Sequence, residues 1–558
     1  MSLTFVTYLL DTALSLFQKV LLYFHTLRYL KAAQVWARWF FWVHRPRPNL
    51  RPAPHVRSLT GFWQRPGEKR ISMLTPTRFR FLNLEKEISS VADWNSPSLS
   101  KLWLYNLHYF DNLNAKSSAS LKASHRELIA RWIVENFPGE GVGWEPYPIS
   151  LRIVNWIKWA LSGNELDVLA RQSLAVQARF LSGRLERHLL GNHLFANAKA
   201  LLFAGCYFEG REAEGWLRSG MRILEREIPE QILADGGHFE RSTMYHALAF
   251  EDMLDLANLF CAYPGTLAAR APFLCSWPGI IFKMGRWLRT MSHPDGEISF
   301  FNDAAIGIAL SPTSLFDYAA RLGFPIEMTN NEVVRLASSG YIRVELGPAV
   351  LLIDVAPVGP DYLPGHAHAD TLSYELSLHG HRVVVNSGTS CYGLGRDREW
   401  QRSTAAHSTL EINGENSSEV WAGFRVARRA YPYGVSVKHE NTEIIVEASH
   451  DGYCRLPKRP VHRRKWILRS DGLIVTDLVE GAINKAVSRV YFHPAIHLEK
   501  VGASGTAHWD AHCLNWTAQS GEVSIQSARW YPEFGCDVEN LCIEMSGTSG
   551  NATLSLKW

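Results

Sequence analysis

Apolar and polar positions along the chain follow two different periods. From about residue 98 to 325 apolar residues recur at helical spacing, which predicts helices over 121–137, 149–161, 166–181, 185–207, 243–261 and 279–291. Short turns with Gly, Pro or Asp separate them, and no convincing strand intervenes. Helical hairpins over more than 200 residues exceed a four-helix bundle, so a closed toroid of paired helices or an open helical array is expected. After about residue 335 the period becomes two. Residues 373–379 alternate cleanly, turn near Gly380 and return at Val383. Asn413-Gly414 and Asp471-Gly472 each follow an alternating run and predict hairpins. Many strands in sequence indicate stacked antiparallel sheets, and the meeting of two such cores is a natural place for a ligand.

The amino terminus differs from both halves. Residues 1–43 are apolar and aromatic, with Asp11, Lys19, Arg28, Lys31 and Arg38 at short intervals, so no uncharged run suffices to span a membrane. Phe5, Leu9, Leu16, Val20, Phe24 and Leu27 have helical spacing. Two readings stand: helices packed on the protein body, or an amphipathic surface helix in peripheral contact with an anionic membrane. Residues 44–54 are rich in Pro and Arg and predict a stiff extended connector. The expected division is thus 1–55 for amino-terminal helices and connector, 56–330 for a helical domain and 331–558 for a β domain.

Composition narrows the classes. Of the 558 residues, 46 % are hydrophobic and 20 % charged, as in an ordinary folded protein. Lys plus Arg exceed Asp plus Glu by 58 − 54 = 4, too little for a nucleic-acid partner, and none is expected. Eight dispersed cysteines without a CxxC pair argue against a zinc ribbon or a disulfide scaffold. No basic residue precedes the first apolar stretch and no small-residue cleavage site follows it, so no export signal is recognised.

Candidate chemistry concentrates in a few segments. In Gly365-His-Ala-His-Ala-Asp370, His366, His368 and Asp370 alternate and project to one side of an extended chain, an arrangement suited to a metal. A metallo-β-lactamase-like string would need a histidine at Thr371, and its layering is missing, but a metal-dependent hydrolase using these three residues is a competing reading. Asn386 and His407 sit at neighbouring strand ends. In the helical half, Asn192 is followed by His193 and Asn197 on one helical face. Ser242 is the expected N-cap of a helix with Tyr245 in its first turn, where the dipole favours a phenolate. Basic residues from Arg425 to Lys465 suggest either an anion-binding stretch or a solvated strand face, and twenty tryptophans offer sugar-stacking surfaces or core.

Six strings in order, residues 104–110, 143–156, 191–193, 235–245, 366–370 and 402–407, make the chain resemble the heparinase II/III family of polysaccharide lyases. The resemblance implies an α+β multidomain fold, an incomplete (α/α) toroid followed by a β-sandwich of stacked antiparallel sheets. It also implies β-elimination on a uronic-acid-containing anionic polysaccharide. In that role Asn192 and His193 neutralise the uronate carboxylate, Tyr245 is general base or acid, and His366 assists from the β half. His108, Arg152, Glu240 and Arg402 are the expected substrate-binding residues. A structural zinc is implied at His368, Asn386 and His407, where Asn386 replaces the family's aspartate and weakens the site. The alternative is a non-catalytic glycan-binding protein of envelope or exopolysaccharide assembly. The resemblance points to the periplasm or envelope and the unrecognised signal to the cytoplasm, so the compartment stays open.

Overall fold

The computed structural model describes residues 18–116, 118–266, 271–327 and 331–558. Paired helices make up its first half: Lys101–Tyr109, Lys122–Glu135, Pro146–Leu161, Val168–Ser182, Gly191–Tyr207, Arg211–Gln231, Thr243–Ala262, Trp277–Thr290 and Pro312–Arg321. Their starts are marked chemically. Side chains of Ser100, Asp167, Ser242 and Ser311 accept from backbone N–H groups three residues on, satisfying donors that the helix itself leaves orphaned. The interior is a continuous apolar cluster that includes Trp103, Trp132, Trp156, Phe203, Leu254 and Met284. These helices form the incomplete toroid, and the change to strand falls between Arg321 and Val333.

The helix predicted from residue 185 begins instead at Gly191. Leu190 and Gly191 adopt φ of 60° and 53°, and a Cβ on Gly191 would lie 2.5 Å from Leu363 Cδ2. The chain therefore breaks and restarts here, which puts Asn192 and His193 in the first turn of a new helix.

Two antiparallel sheets follow. One contains nine strands, with the order Glu522–Trp530, Val538–Gly547, Ala486–Phe492, His381–Val385, Tyr374–Leu378, Ala349–Asp354, Tyr341–Leu346 and Val333–Leu336, and with Leu410–Ile412 beside Ala486–Phe492. The other has eight, from Pro432–Glu440 to His497–Val501. Leu351, Leu376 and Val383 of the first sheet meet Val446, Trp466 and Leu554 of the second in the sandwich core.

The expected alternation of buried and exposed residues fails in the middle of the nine-stranded sheet. Ala349–Asp354 and Tyr374–Leu378 are buried on both faces. One face packs on the partner sheet, while the other meets the toroid: His293 bonds Glu375 at 2.8 Å and Ser377 at 2.8 Å. A sheet covered on both sides cannot show a clean two-residue period of polarity. The Asn413-Gly414 turn has φ of 56° and 74°, as its sequence predicts. At the second hairpin Gly472 already pairs with Arg469, leaving Ser470 and Asp471 as the turn.

Residues 18–27 are helical, and Ala32–Val43 forms a second helix. Part of the predicted amphipathic segment, residues 1–17, lies outside the described residues. The connector is extended and pinned to the toroid, Arg179 donating to the carbonyls of Arg51 at 2.6 Å and Pro52 at 2.8 Å. No described helix is long and apolar enough to cross a membrane.

Candidate active site

Tyr245 and His366, 121 positions apart, meet where the two halves join: their rings lie 3.9 Å apart at 31°. The helix Thr243–Ala262 presents Tyr245 from its first turn, with the Ser242 hydroxyl accepting the Tyr245 N–H at 3.1 Å. The segment before strand Tyr374–Leu378 presents His366.

One carboxylate organises this meeting. Asp303, fully buried in the toroid's last long loop, accepts from His366 Nδ1 at 2.9 Å, His368 Nε2 at 2.8 Å and Arg398 Nη2 at 2.7 Å. Arg398 Nη1 and Thr389 Oγ1 donate to Oδ1, the oxygen that also accepts from His368. Its own N–H donates to the His366 carbonyl at 2.9 Å. Burial opposes ionisation, but the Arg398 charge and the two imidazoles outweigh it and hold the acid well below the usual aspartate range. With Nδ1 committed to Asp303, His366 turns Nε2 away, toward Glu240 at 3.7 Å. Its side chain keeps 16 % exposure, so the site is reachable.

Asn192 and His193 stand on the toroid side, and the Tyr147 ring lies 4.4 Å from that of His193. Glu186 Oε1 binds His193 Nδ1 at 3.0 Å, and Asn197 secures Glu186 through Nδ2 at 3.0 Å and through the Glu186 N–H at 2.7 Å. Burial alone would lower the His193 pKa, yet the Glu186 carboxylate outweighs it and the imidazolium is favoured. Glu240, buried between the two histidines, is raised by burial against the pull of His366 and His193. Burial thus disfavours the Glu240 charge while Glu186 favours the His193 imidazolium, a balance suited to receiving an anion.

The expected phenolate at Tyr245 is not what the environment favours. Burial, the neighbouring Tyr392 (O···O 3.1 Å) and the charges of Asp303 and Glu240 raise the phenol well above its ordinary pKa. These outweigh the helix dipole, whose influence at a helix end is a fraction of a unit charge. The resting group is a proton donor.

A second cluster lies directly behind. Ligand atoms of His368, Asp370 and His407 all lie within 4.8 Å of one another, and all three residues are buried. His368 Nδ1 faces His407 Nε2 at 3.2 Å while its Nε2 is committed to Asp303. Burial lowers both imidazoles, keeping them neutral with lone pairs available. Two imidazoles, a carboxylate and an outer Asp303 holding one ligand's far nitrogen are a donor set that fits Zn²⁺. Asn386 stands close by, its amide committed to the Ser373 hydroxyl at 3.2 Å and the Ser408 N–H at 3.2 Å. The carboxylate brought to the imidazoles is Asp370. The three-residue hydrolase arrangement does not form, because His366 turns to Tyr245 and the cluster has no exposed position.

Three expected substrate-binding residues are scaffolding instead. His108 is fully buried between the Trp94 carbonyl and the Trp132 indole N–H, both at 3.0 Å. Arg152 is spent on Gln177 and the carbonyls of His108 and Gly143, under the Trp132 ring at 3.8 Å. Arg402 donates to the Ala367 carbonyl at 3.0 Å, fixing the residue between the two histidines. In each case the polar string serves a buried backbone junction. The basic stretch is largely neutralised: Arg464 pairs with Asp477, Arg428 with Glu419, Arg429 with Asp361, Arg463 with Glu480 and Lys465 with Glu447.

Asp303, Tyr392 and Arg398 were not among the expected residues. Asp303 sits in an irregular loop with no periodic signal, and only folding brings it to residues 63 and 95 positions away. A paired Asn302-Asp303 inside the apolar run 298–310 is the one trace it leaves in sequence.

Known proteins share this two-part architecture. The family profile described as Heparinase II/III N-terminus matches residues 160–321, and that described as Heparinase II/III-like, C-terminal matches residues 328–555. A heparin-sulfate lyase of Bacteroides stercoris is 28 % identical over 324 residues, 54 % of this chain and 46 % of that relative. FtsZ-localized protein C of Caulobacter vibrioides is 22 % identical over 387 residues, 65 % of this chain and 62 % of that relative. The match thus spans less than two thirds of either relative. A crystal structure of heparinase III shares the fold with a TM-score of 0.64 at 15 % identity, covering 94 % of this chain and 85 % of the other. With both profiles in order on the two halves, the chain belongs to the heparinase II/III family.

Proposed function

We propose that this protein is a polysaccharide lyase that cleaves a uronic-acid-containing anionic glycan by β-elimination. The observation that carries the reading is the contact between Tyr245 and His366, each presented by a different half and backed by Asp303. The heparin-sulfate lyase relative and the heparinase III structure support the same class. Asn192 and the His193 imidazolium bind the uronate carboxylate, spreading the charge that develops when the C5 proton leaves. His366 Nε2 takes that proton, since Asp303 fixes the tautomer that leaves this nitrogen free. The C4–O4 bond breaks, its electrons staying on O4, and the C5–H pair forms the C4–C5 double bond. Tyr245 protonates O4. Protonated His366, stacked on the phenol, then restores the proton to Tyr245.

His368, Asp370 and His407 would hold Zn²⁺ as a structural ion. Bound there, the ion supplies a rigid cross-link beneath the segment that carries His366.

The test is a panel of uronic-acid polysaccharides with ultraviolet detection of the unsaturated uronate and mass spectrometry of the products. Products one double bond short of hydration are expected, with Tyr245→Phe reducing the rate about 10²–10⁴-fold, the usual range for a lost proton donor. Glycan binding without any product, or a Tyr245→Phe variant with the parental rate, overturns the reading.

A further inference from the structure

Helix Ala32–Val43 is attached to the protein by its polar side. Gln34 is buried and donates to the Tyr362 carbonyl at 3.2 Å. Lys31, just before it, pairs with Glu230 at 2.8 Å and lies over the Tyr362 ring at 3.6 Å. Phe41 rests on His188 at 4.1 Å between ring centroids. The opposite side carries Val35, Trp36, Trp39, Phe40, Trp42 and Val43, every one more than half exposed, with Trp36 at 69 % and Trp42 at 73 %. The preceding helical residues add exposed Val20, Phe24 and Leu27. An amphipathic helix on a lone soluble domain buries its apolar face, so this outward orientation needs a counterpart.

Charge identifies the counterpart. From residue 18 to 67 the chain has nine Lys and Arg and no Asp or Glu. Where the helix ends, a cavity of about 400 Å³ is lined by Arg38, Arg45 and Arg184 together with Phe41, Trp42 and His188. Among the described residues none of these three arginines forms an ion pair with a carboxylate. Burial and the neighbouring Arg45 charge lower the Arg184 guanidinium. Burial also brings His188 down to about 4, with Arg38 and Arg184 adding to it against the pull of Glu186. Three guanidinium groups line this cavity with no carboxylate ion-paired to them, Glu145 and Glu186 acting on Arg184 only at longer range. Trp42 of the exposed aromatic face lines it as well, which suits it to an anion. A soluble polyanion would answer the arginines but leave that face in water. A phospholipid surface answers both, because indoles favour the zone between headgroups and acyl chains and phosphates favour arginine.

We propose that helix Ala32–Val43 docks on an anionic phospholipid bilayer, lying in its headgroup zone with a lipid phosphate held by Arg38, Arg45 and Arg184. The helix bridges the halves of the molecule, since residues just before it also meet the β half: Tyr23 packs at 4.9 Å on Trp421 of the two-stranded sheet Val420–Trp421/Arg425–Val426, and the Trp421 indole donates to Thr26. Docking would therefore hold the whole enzyme body at the surface.

The experiment is co-sedimentation of the full chain with vesicles of phosphatidylcholine, with and without phosphatidylglycerol. Binding to the phosphatidylglycerol vesicles alone is expected. Each cation near such a surface is worth roughly fivefold, so Arg38→Gln/Arg45→Gln should weaken binding about 25-fold. A Trp36→Ser/Trp39→Ser/Trp42→Ser variant should lose it while keeping the parental unfolding midpoint, because these side chains are exposed. The proposal is overturned if the parent binds neither vesicle, or if both variants bind as the parent does. It is also overturned if the tryptophan variant only dissociates a dimer seen by light scattering, which would make a second copy the occupant. Competition by soluble heparin fragments with the tryptophan variant binding normally would reassign the arginines to a glycan and overturn it as well.

Discussion

Replacing Asp303 by asparagine keeps its shape and removes its charge, which separates the two roles the structure gives this residue. Asp303 accepts from both guanidinium nitrogens of Arg398, a side chain only 1 % exposed, and from His366, His368 and Thr389. Neutralising it leaves a buried guanidinium without a counter-charge, a change that costs about 3–5 kcal/mol. It also removes the acceptor that fixes the His366 tautomer. Neutralising the carboxylate behind a catalytic histidine costs on the order of 10⁴-fold in rate in the serine proteases, and about 10³–10⁴-fold is expected here. Denaturant unfolding and the initial rate of unsaturated-product formation measure the two effects. Adding Arg398→Met to Asp303→Asn removes the orphaned cation, so it should restore most of the stability and none of the rate. The pH dependence has a definite sign. Because the folded acid ionises well below its ordinary pKa of 3.8, its stabilisation is complete above that value and is lost only as pH falls below it. An Asp303→Asn protein with the parental midpoint and rate, or a double variant that regains activity, refutes the assignment of Asp303 as the residue that positions His366.

Further outcomes follow from other parts of the structure. Glu240→Gln should be neutral or stabilising at pH 7 and lose stability less than the parent as pH rises above 4.5, since burial raises the native acid; a large destabilisation at pH 7 would contradict this. Chelation, or His407→Ala, should lower the unfolding temperature and release about one zinc per chain on the donor set of His368, Asp370 and His407; metal-free protein of unchanged stability would remove the zinc assignment. In the toroid, Asp255 accepts from Lys158 at 2.9 Å and Lys199 at 2.6 Å, all three buried. Asp255→Ala should therefore cost about 3–5 kcal/mol in chemical denaturation, and a loss within experimental scatter would show the lysines finding other partners. Gly191→Ala should depress the elimination rate more than stability, because its Cβ meets Leu363 at the turn that sets Asn192 and His193; an unchanged rate would remove that turn from the mechanism.

The resemblance of its strings to a family named Tyr245 and His366, which the structure brings together, while the sequence by itself determined the two periods, the cap at Ser242 and the turn at Asn413-Gly414. These are local properties, set by backbone geometry and by residue chemistry within a few positions. It could not tell a polar string at a site from one at a buried junction, which is why His108, Arg152 and Arg402 read as substrate contacts although they tie backbone carbonyls together. It could not reveal Asp303, whose meaning comes entirely from partners up to 95 positions distant. Nor could it fix the protonation of Tyr245, because burial and two neighbouring carboxylates, absent from any local window, overrule the helix dipole. Tertiary structure decided those points, and it decided which face of helix Ala32–Val43 looks outward. Hydrophobic spacing specifies that such a face exists; only the packing of the rest of the chain determines whether it is covered.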